Sequence, residues 1–216
     1  MKKQYVVIIS SILLVFLFVV GVQIYKGQQK KKYGFLAANN ASLFIREYSP
    51  TLGNDDAKVY LIKFTDPACE TCSAFHPYVK QLMDAHPGKI KLVIRYNPLH
   101  EGADYPVKIL EAARKQGKFW ETMDILYRTQ GHWTSHHIVQ PQKLWRILSM
   151  TDLNIEKIGK DMNDPTIQER IRQDLADAKA LGATKTPGFF VNGKPLTRFG
   201  RSQLRQLVES EIKANY

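Results

Sequence analysis

The chain has 216 residues, of which 31 are Lys or Arg and 20 are Asp or Glu, for a formal net charge of +11. The first 32 residues hold six lysines and no acidic residue, so the rest carries 25 basic and 20 acidic residues. That mild excess does not indicate a nucleic-acid partner. Without its N-terminal apolar segment, the chain has a length that suits one domain with one core.

The N-terminal segment is apolar over residues 5–25 and follows a short basic tail, residues 1–4, that contains Lys2 and Lys3. About 20 apolar residues are enough to cross a hydrocarbon core. The run is also longer than the apolar region of about 7–15 residues in a cleavable signal peptide, which is the alternative. We therefore predict an uncleaved transmembrane signal anchor over 5–25. A linker over residues 26–40 follows, and its lysines are expected to face solvent or lipid headgroups.

Two long apolar runs rich in β-branched residues, 58–65 and 89–97, are typical of buried strands. A shorter strand is predicted over 44–50. Between the two long runs, residues 73–85 place apolar side chains at helical spacing. The first half of the domain is therefore predicted to run strand, helix, strand.

The second half changes character, because residues 104–182 are predicted to be helical almost throughout. Its last helix is expected to start after Asp164, which can cap the N-terminus, and to end at Gly182. Two apolar stretches that flank Asn192-Gly193 predict a β-hairpin. A closing helix is predicted to begin at Ser202.

Both cysteines of the chain, Cys69 and Cys72, stand two residues apart at the start of the predicted helix. The unpaired N–H groups of a helix N-terminus stabilise a thiolate, which is the reactive form of cysteine. The spacing lets the second sulfur close a disulfide or resolve a mixed one. We therefore predict that Cys69 attacks substrates and that Cys72 resolves the mixed disulfide.

Other uses of the pair remain open. A structural disulfide between Cys69 and Cys72 would close a very small loop and stabilise little. A zinc site normally takes four ligands, and the chain offers one cysteine pair. A copper site formed with His76 is a further alternative. The usual haem attachment is excluded, because Ser73 stands where a histidine is required.

A second group of possible ligands is the histidine-rich stretch with His132, His136 and His137. These residues could bind a metal ion, but we expect them to lie in a turn between helices, with Trp133 packed inward. No metal site and no cofactor is therefore predicted.

Three stretches of the sequence resemble a known family. "VYLIKFTDPACETC", Pro77 and "TKTPGFFVNGKPL" are similar to the thioredoxin superfamily. The long helical block resembles the DsbA-type branch, the bacterial extracytoplasmic disulfide oxidoreductases. The resemblance covers residues 41–216. It implies an α/β thioredoxin-like fold with a helical insertion, about 104–182, between the second strand and the cis-proline strand. One N-terminal transmembrane helix would precede this domain.

The resemblance also implies site residues. Pro187 would be the cis-proline opposite the cysteines, and Thr186 would offer backbone groups to an extended substrate peptide. Lys63 departs from the family, which commonly has a buried acid six residues before the first cysteine. If buried, Lys63 would tune the dithiol; alternatively, its amine could reach water along an apolar surface.

The residues around the cysteines depart from the family as well. Glu70 and Thr71 occupy the positions between the cysteines, where the strongly oxidising members have proline and histidine. An acidic neighbour should raise the pKa of Cys69 relative to such a site, which predicts a less oxidising couple. His76, one turn beyond Cys72, is expected either to hydrogen-bond near the site or to lie on the surface.

The function that the resemblance implies is extracytoplasmic thiol–disulfide exchange on the cysteines of exported proteins, supported by a membrane or soluble redox partner. The protein would be a single-pass monomer of the bacterial inner membrane, with its domain in the periplasm or outside the cell. The alternatives are a disulfide reductase, an isomerase, and a tethered chaperone or metal-binding module.

Overall fold

The computed structural model describes residues 13–23 and 41–216. Residues 13–23 are helical (α1) and belong to a unit separate from residues 42–216. The large apolar side chains from Leu13 to Val19 are exposed. Within the described ranges, no helix is both long and apolar enough to span a membrane. The rest of the predicted anchor 5–25 and the predicted linker 26–40 lie outside the described residues.

A five-stranded sheet forms the centre of the domain. Its strands are β1 (Thr51–Gly53), β2 (Val59–Thr65), β3 (Ile90–Tyr96), β6 (Gly188–Val191) and β7 (Lys194–Pro195). They lie in the order β1-β3-β2-β6-β7. The β2–β3 pair is parallel, and the other neighbours are antiparallel. The two long predicted strands are confirmed as β2 and β3, and β2 lies in the middle of the sheet.

The helices fall into two groups. Within residues 41–216, the helices outside the insertion are α2 (Ala41–Phe44), α3 (Glu70–Asp84) and α10 (Arg201–Asn215). Between β3 and β6 the chain forms α4 (Asp104–Arg114), α5 (Phe119–Arg128), α6 (Gln130–Trp133), α7 (Pro141–Leu148), α8 (Ile155–Asp161) and α9 (Pro165–Ala180). A small hairpin of β4 (Thr134–Ser135) and β5 (Ile138–Val139) interrupts this insertion, which is therefore less uniformly helical than predicted.

The two faces of the sheet bury different side chains, because residues along a strand alternate between faces. One face contributes Leu61, Leu92 and Phe189 to the main core, which also contains apolar side chains of α3, α10 and the insertion. On the other face, Phe190 makes edge contacts with Phe44 and Phe64 at centroid distances of 5.3 and 6.0 Å. Because side chains alternate along β2, the odd-numbered residues that follow Leu61 also point toward the main core.

A buried ion network attaches α9 to the sheet. The guanidinium of Arg95 on β3 lies 2.7 Å from the carboxylate of Asp174 and 2.5 Å from that of Asp177. Arg46, after α2, reaches Asp177 at 2.8 Å. Because loss of one partner would leave a buried charge uncompensated, this network strongly favours one placement of α9.

Several predicted termini are confirmed. The Asp164 side chain accepts a hydrogen bond from the N–H of Thr166 at 2.9 Å, so it caps α9. Gly182 has a φ of 73°, the left-handed conformation that ends many helices. Asn192 and Gly193 have φ values of 47° and 79°, as a tight hairpin between β6 and β7 requires.

Two predictions of local structure are wrong. Residues 44–50 do not form a strand, because a turn closes there through hydrogen bonds between Arg46 and Ser49, and β1 begins only at Thr51. The closing helix begins at Arg201 with Gly200 as its N-cap, so Ser202 lies inside its first turn.

Candidate active site

The turn before α3 is held in shape by Asp66, a fully buried residue. Its backbone carbonyl accepts a hydrogen bond from the N–H of Cys69 at 3.1 Å. Its carboxylate accepts from the N–H groups of Ala68 and Leu99, both at 2.8 Å. The same carboxylate bonds the imidazole of His100 at 2.7 Å. Asp66 thus ties the start of α3 to the loop after β3 and fixes where Cys69 begins the helix.

Gln130 on α6 supports the same turn from the other side. Its side-chain amide donates to the carbonyls of Pro67 and Cys69 at 2.6 and 3.0 Å. This residue was not predicted, because a glutamine within a helical block carries no local signal of a contact 61 residues away.

Cys69 is the N-cap residue of α3, with φ −80° and ψ 119°, and the two cysteines are not joined in a disulfide. The pKa of Cys69 is lowered to about 5, and a hydrogen bond with the Cys72 thiol makes the largest contribution to this shift. Burial opposes this shift, whereas the Thr186 side chain and the N–H groups of Cys72 and Thr71 support it. Cys69 is therefore a thiolate at neutral pH.

Cys72 behaves in the opposite way. It is fully buried in the first turn of α3, and burial raises its pKa well above the usual range of a thiol. The hydrogen bond to Cys69 raises this pKa further, while the nearby Lys63 lowers it. The pair thus divides into an ionised sulfur at Cys69 and a protonated one at Cys72.

The Thr186–Pro187 loop lies directly beside the dithiol, and its peptide bond is cis. When protonated, Cys69 Sγ donates to the Thr186 carbonyl at 3.3 Å, which joins residues 117 positions apart in sequence. A groove of about 450 Å³ opens at this point, and Thr71, Pro187 and Phe199 are among its lining residues. An extended peptide could lie in this groove next to Cys69.

Lys63 lies on the main-core face of β2 and is fully buried, so the alternative in which its amine reaches water is wrong. Its Nζ donates to the carbonyl of Cys72 at 3.3 Å and lies 4.9 Å from the ring centroid of Tyr127. Burial lowers the pKa of Lys63 to about 8, although the neighbouring Cys72 and Cys69 partly oppose this shift.

His76 is buried rather than on the surface. Its Nε2 lies 2.5 Å from the Asp124 carboxylate, which also binds Lys80 at 2.7 Å. Burial, followed by the charge of Lys63, lowers the pKa of His76 to about 4, so the ring is neutral and donates from Nε2. His76 also packs against Tyr127, with ring centroids 5.0 Å apart. No motif or spacing in the sequence predicts Asp124 or Tyr127 as neighbours of the site.

The two residues between the cysteines, Glu70 and Thr71, are both exposed in the first turn of α3. Thr71 contributes its N–H group to Cys69 and its side chain to the groove beside Pro187. The effect of Glu70 on the redox couple stays a prediction.

The histidine-rich stretch is divided between two elements: His132 lies on α6, and His136 and His137 lie in the β4–β5 hairpin. Trp133 is fully buried, as predicted, and His136 and His137 occupy the turn with φ values of 49° and 66°. His137 stacks on His100 at 5.0 Å. In the part of the chain that the structure describes, no group of three His, Cys, Asp or Glu side chains is placed to hold a metal ion.

Comparison with known proteins identifies a family model and several related sequences. A thioredoxin family model matches residues 46–210. The Na(+)/H(+) antiporter NhaA of Herminiimonas arsenicoxydans is 30% identical over 144 residues, which are 67% of this chain and 22% of the antiporter. The chain therefore spans only about a fifth of that relative. A probable disulfide bond formation protein D of Bacillus anthracis is 26% identical over 181 residues, 79% of this chain and 82% of that protein.

Solved structures show the same fold. A thioredoxin-like oxidoreductase from Silicibacter pomeroyi DSS-3 is 32% identical, with a TM-score of 0.70, and the match covers 81% of this chain and 98% of that one. The α-DsbA1 protein of Wolbachia pipientis is 19% identical, with a TM-score of 0.72 and coverage of 82% and 96%. With the family model over most of the domain and a DsbA-type fold around the dithiol, the chain belongs to the thioredoxin family, as the sequence resemblance predicts.

Proposed function

We propose that this protein is a thiol–disulfide oxidoreductase that acts through Cys69 and Cys72 on the cysteines of exported proteins. The observation that carries the proposal is the position of the Cys69 sulfur. It lies at the N-terminus of α3, 3.3 Å from the carbonyl of Thr186 and beside an open groove. A thiolate there is the nucleophile of disulfide exchange, and the protonated Cys72 is held in reserve.

The exchange balances in both directions. In oxidation, a substrate thiolate attacks the Cys69 sulfur of the protein disulfide, and the Cys69–Cys72 bond breaks with its electron pair going to Cys72. A second substrate thiolate then attacks the mixed disulfide and releases Cys69 as a thiolate. The substrate gains a disulfide and the protein gains two electrons, which a redox partner must remove. Reduction is the same sequence run backwards.

The groove beside Cys69 supports binding of an extended peptide. Thr186 and Pro187 are among its lining residues, and the exposed ring of Phe199 contributes aromatic surface. Phe199 is 54% exposed, and its ring packs at a tilt against that of Phe75, with centroids 4.8 Å apart. We propose that substrate cysteines enter here, with backbone groups of Thr186 as hydrogen-bond partners.

The direction that the site favours is oxidation. A thiolate pKa of about 5 at Cys69 stabilises the reduced protein, and a stable reduced form makes the disulfide form an oxidant. The acidic Glu70 beside Cys69, where the strongly oxidising members have proline, opposes a very low pKa at Cys69. We therefore propose an oxidising couple that is weaker than the strongest DsbA-type proteins. The name of the Bacillus anthracis relative, a probable disulfide bond formation protein, agrees with this direction.

We further propose that residues 5–25 anchor the protein in the bacterial inner membrane, after the tail 1–4 and before the linker 26–40. Their uncharged, mostly apolar sequence and the exposed apolar side chains of α1 support this. The domain of residues 41–216 would then work as a monomer in the periplasm or outside the cell, where disulfides persist. Its redox partner would be a membrane or soluble protein.

Two activity assays on the full chain test the function. The wild type is expected to catalyse both insulin reduction with dithiothreitol and oxidative refolding of a reduced disulfide protein. Cys69→Ala should abolish both activities, and Cys72→Ala should accumulate mixed disulfides with substrate. Ser210→Ala, an exposed change on α10, serves as the control with unchanged activity.

The same assays separate the alternatives. Preferential insulin reduction with no gain in refolding yield would favour a reductase, and reshuffling of scrambled disulfides would favour an isomerase. Chaperone or metal-binding activity that survives in Cys69→Ala, together with no exchange in the wild type, would refute the proposal.

A further inference from the structure

The segment that contains the cis Thr186–Pro187 loop carries only positive charge. Residues 178–208 include no Asp or Glu and six basic residues, which are Lys179, Lys185, Lys194, Arg198, Arg201 and Arg205. Beyond residue 32 the chain has 25 basic and 20 acidic residues, so 19 basic and 20 acidic residues lie outside this segment. The same segment supplies every lining residue of the groove beside Cys69 except Thr71. The positive excess is therefore concentrated in the segment that forms the groove.

These basic residues differ in whether the protein already uses their charge. Lys194 forms an ion pair with Glu211, which is almost fully buried. Arg201 donates a hydrogen bond to a backbone carbonyl of α3 at 3.0 Å. Lys185 and Arg198 are both exposed, and within the described residues no acidic side chain pairs with either of them. These two cations are therefore available to a bound partner.

Lys185 and Arg198 belong to the two stretches that line the groove. Among the described residues that line it, Lys185 alone is charged, and it directly precedes Thr186. Arg198 stands between two further lining residues in the stretch after β7. Because the carbonyl of Thr186 is 3.3 Å from Cys69 Sγ, Lys185 lies next to the residue that contacts the reacting sulfur. A peptide bound in this groove would meet both positive charges.

The α3 edge of the groove carries the opposite charge. Thr71 is the lining residue that α3 contributes, and the exposed Glu70 directly precedes it. A peptide carboxylate would be repelled near Glu70 and attracted near Lys185 and Arg198. The distribution of charge therefore favours an acidic peptide residue on the side of the cis-proline loop.

The geometry of an extended peptide limits where that acidic residue can stand. The substrate cysteine must point toward Cys69 for its sulfur to react. Side chains alternate between the two faces of an extended chain, so the residue two positions from the cysteine points into the groove as well. It lies about 7 Å further along the chain. The residue one position from the cysteine points away from the groove.

We propose that Lys185 and Arg198 select substrate segments in which an Asp or Glu stands two residues from the reacting cysteine. This inference rests on the proposed exchange activity and names the class of substrate. The two cations attract the carboxylate as the peptide docks, and this speeds formation of the mixed disulfide at Cys69. Since neither cation touches the reacting sulfur, both are specificity residues rather than catalytic ones.

A single-step exchange assay isolates this docking. The full chain with Cys72→Ala, in detergent, is loaded at Cys69 with thionitrobenzoate by reaction with 5,5′-dithiobis(2-nitrobenzoate). A peptide thiolate then attacks the Cys69 sulfur and forms the mixed disulfide. The bond from Cys69 to thionitrobenzoate breaks, and thionitrobenzoate leaves with the electron pair and reports the rate by its absorbance.

The peptides have one cysteine in an otherwise uncharged sequence, with Glu or Gln placed one or two residues from it on either side. Each rate is divided by the rate of the same peptide with free 5,5′-dithiobis(2-nitrobenzoate). This ratio removes the effect of the glutamate on the reactivity of the peptide thiol itself. What remains is the effect of the glutamate on docking at Cys69.

We expect the normalised rate in low salt to be about three- to fivefold higher with Glu than with Gln two residues from the cysteine, on the side that faces the two cations. With Glu one residue from the cysteine, the preference should be below about twofold. In about 0.5 M salt the larger preference should also fall below about twofold, because exposed charges are screened.

Two sets of variants assign the preference to these residues. Lys185→Gln with Arg198→Gln should remove it, and Lys185→Glu with Arg198→Glu should replace it with a preference for Lys in the peptide. Lys160→Gln with Lys213→Gln is the matched control, because it removes the same charge from exposed positions on α8 and α10. This control should keep the preference of the parent protein.

Three results would overturn the inference. They are a preference for Glu below about twofold in low salt, an equal preference at one and two residues from the cysteine, and a preference that persists in Lys185→Gln with Arg198→Gln. Failure of every peptide to release thionitrobenzoate from the loaded protein would instead refute the proposed function itself.

Discussion

The difference between the two sulfur atoms follows from their immediate surroundings. Cys69 lies at the helix N-terminus, where N–H groups of the first turn and a neighbouring thiol stabilise its negative charge. Cys72, three residues further along α3, is fully enclosed, and burial keeps it protonated. The same two-residue spacing therefore produces one nucleophile and one protonated thiol, as disulfide exchange needs.

Substitution of Glu70 tests whether its charge affects the pKa of Cys69. Glu70→Gln removes a negative charge beside Cys69, so the pKa of Cys69 should fall. Because Glu70 is exposed, water screens the interaction, and the fall should be only about half a pKa unit. The rate of alkylation of Cys69 as a function of pH measures it.

The control for this experiment is Glu209→Gln on α10, which should leave the alkylation profile in place. A fall of more than about one unit in Glu70→Gln would mean that the acid interacts with the sulfur far more strongly than its exposure allows. An unchanged profile would remove Glu70 from the tuning residues.

At the scale of elements, α6 supports the turn that presents Cys69. The buried amide of Gln130 is a hydrogen-bond donor to the carbonyls of Pro67 and Cys69. Gln130→Leu would leave buried carbonyl groups without this donor, so we expect the free energy of unfolding to fall by about 1–3 kcal/mol. Chemical denaturation of the reduced protein measures the loss.

Gln116 is a matched control, because it also bonds backbone groups, those of Asn154, but does so where water can replace it. Gln116→Leu is expected to change the stability by less than about 0.5 kcal/mol. Equal losses in the two variants would contradict the role assigned to Gln130.

Elements with a strong local signal could be predicted from the sequence. The apolar runs of β2 and β3, the cap at Asp164 and the Asn192-Gly193 turn each depend on neighbouring residues, and each is confirmed. The prediction of a strand over 44–50 was wrong, because the Arg46–Ser49 turn competes with an extended conformation. Local preferences do not decide such a competition.

The site was predictable only in part. Cys69, Cys72 and Pro187 belong to motifs that can be read from the sequence. Gln130, Tyr127 and Asp124 reach the site through packing of the insertion against α3, which no spacing in the sequence encodes. The burial of Lys63 was left open for the same reason, since a lysine within an apolar strand can point its amine either to water or to the core.

At the scale of the whole molecule, the topology brings distant segments to one end of the sheet. The end of β2 leads into the cysteine turn, the end of β3 leads into the loop held by Asp66, and the cis Thr186–Pro187 loop precedes β6. Because β2 is parallel to β3 and antiparallel to β6, these three connections meet at the same end of the sheet. The large insertion between β3 and β6 covers the core below them without separating them.

The most direct test of the account is a redox equilibrium of the full chain in detergent against glutathione, with the Cys69–Cys72 pair followed by thiol trapping. We predict a single two-electron transition between thiols and an intramolecular disulfide. Its midpoint should lie between those of thioredoxin, roughly −270 mV, and DsbA, roughly −120 mV. A midpoint more negative than that of thioredoxin would contradict the oxidising direction. Failure of Cys69 and Cys72 to form a disulfide at any glutathione ratio would contradict the account as a whole.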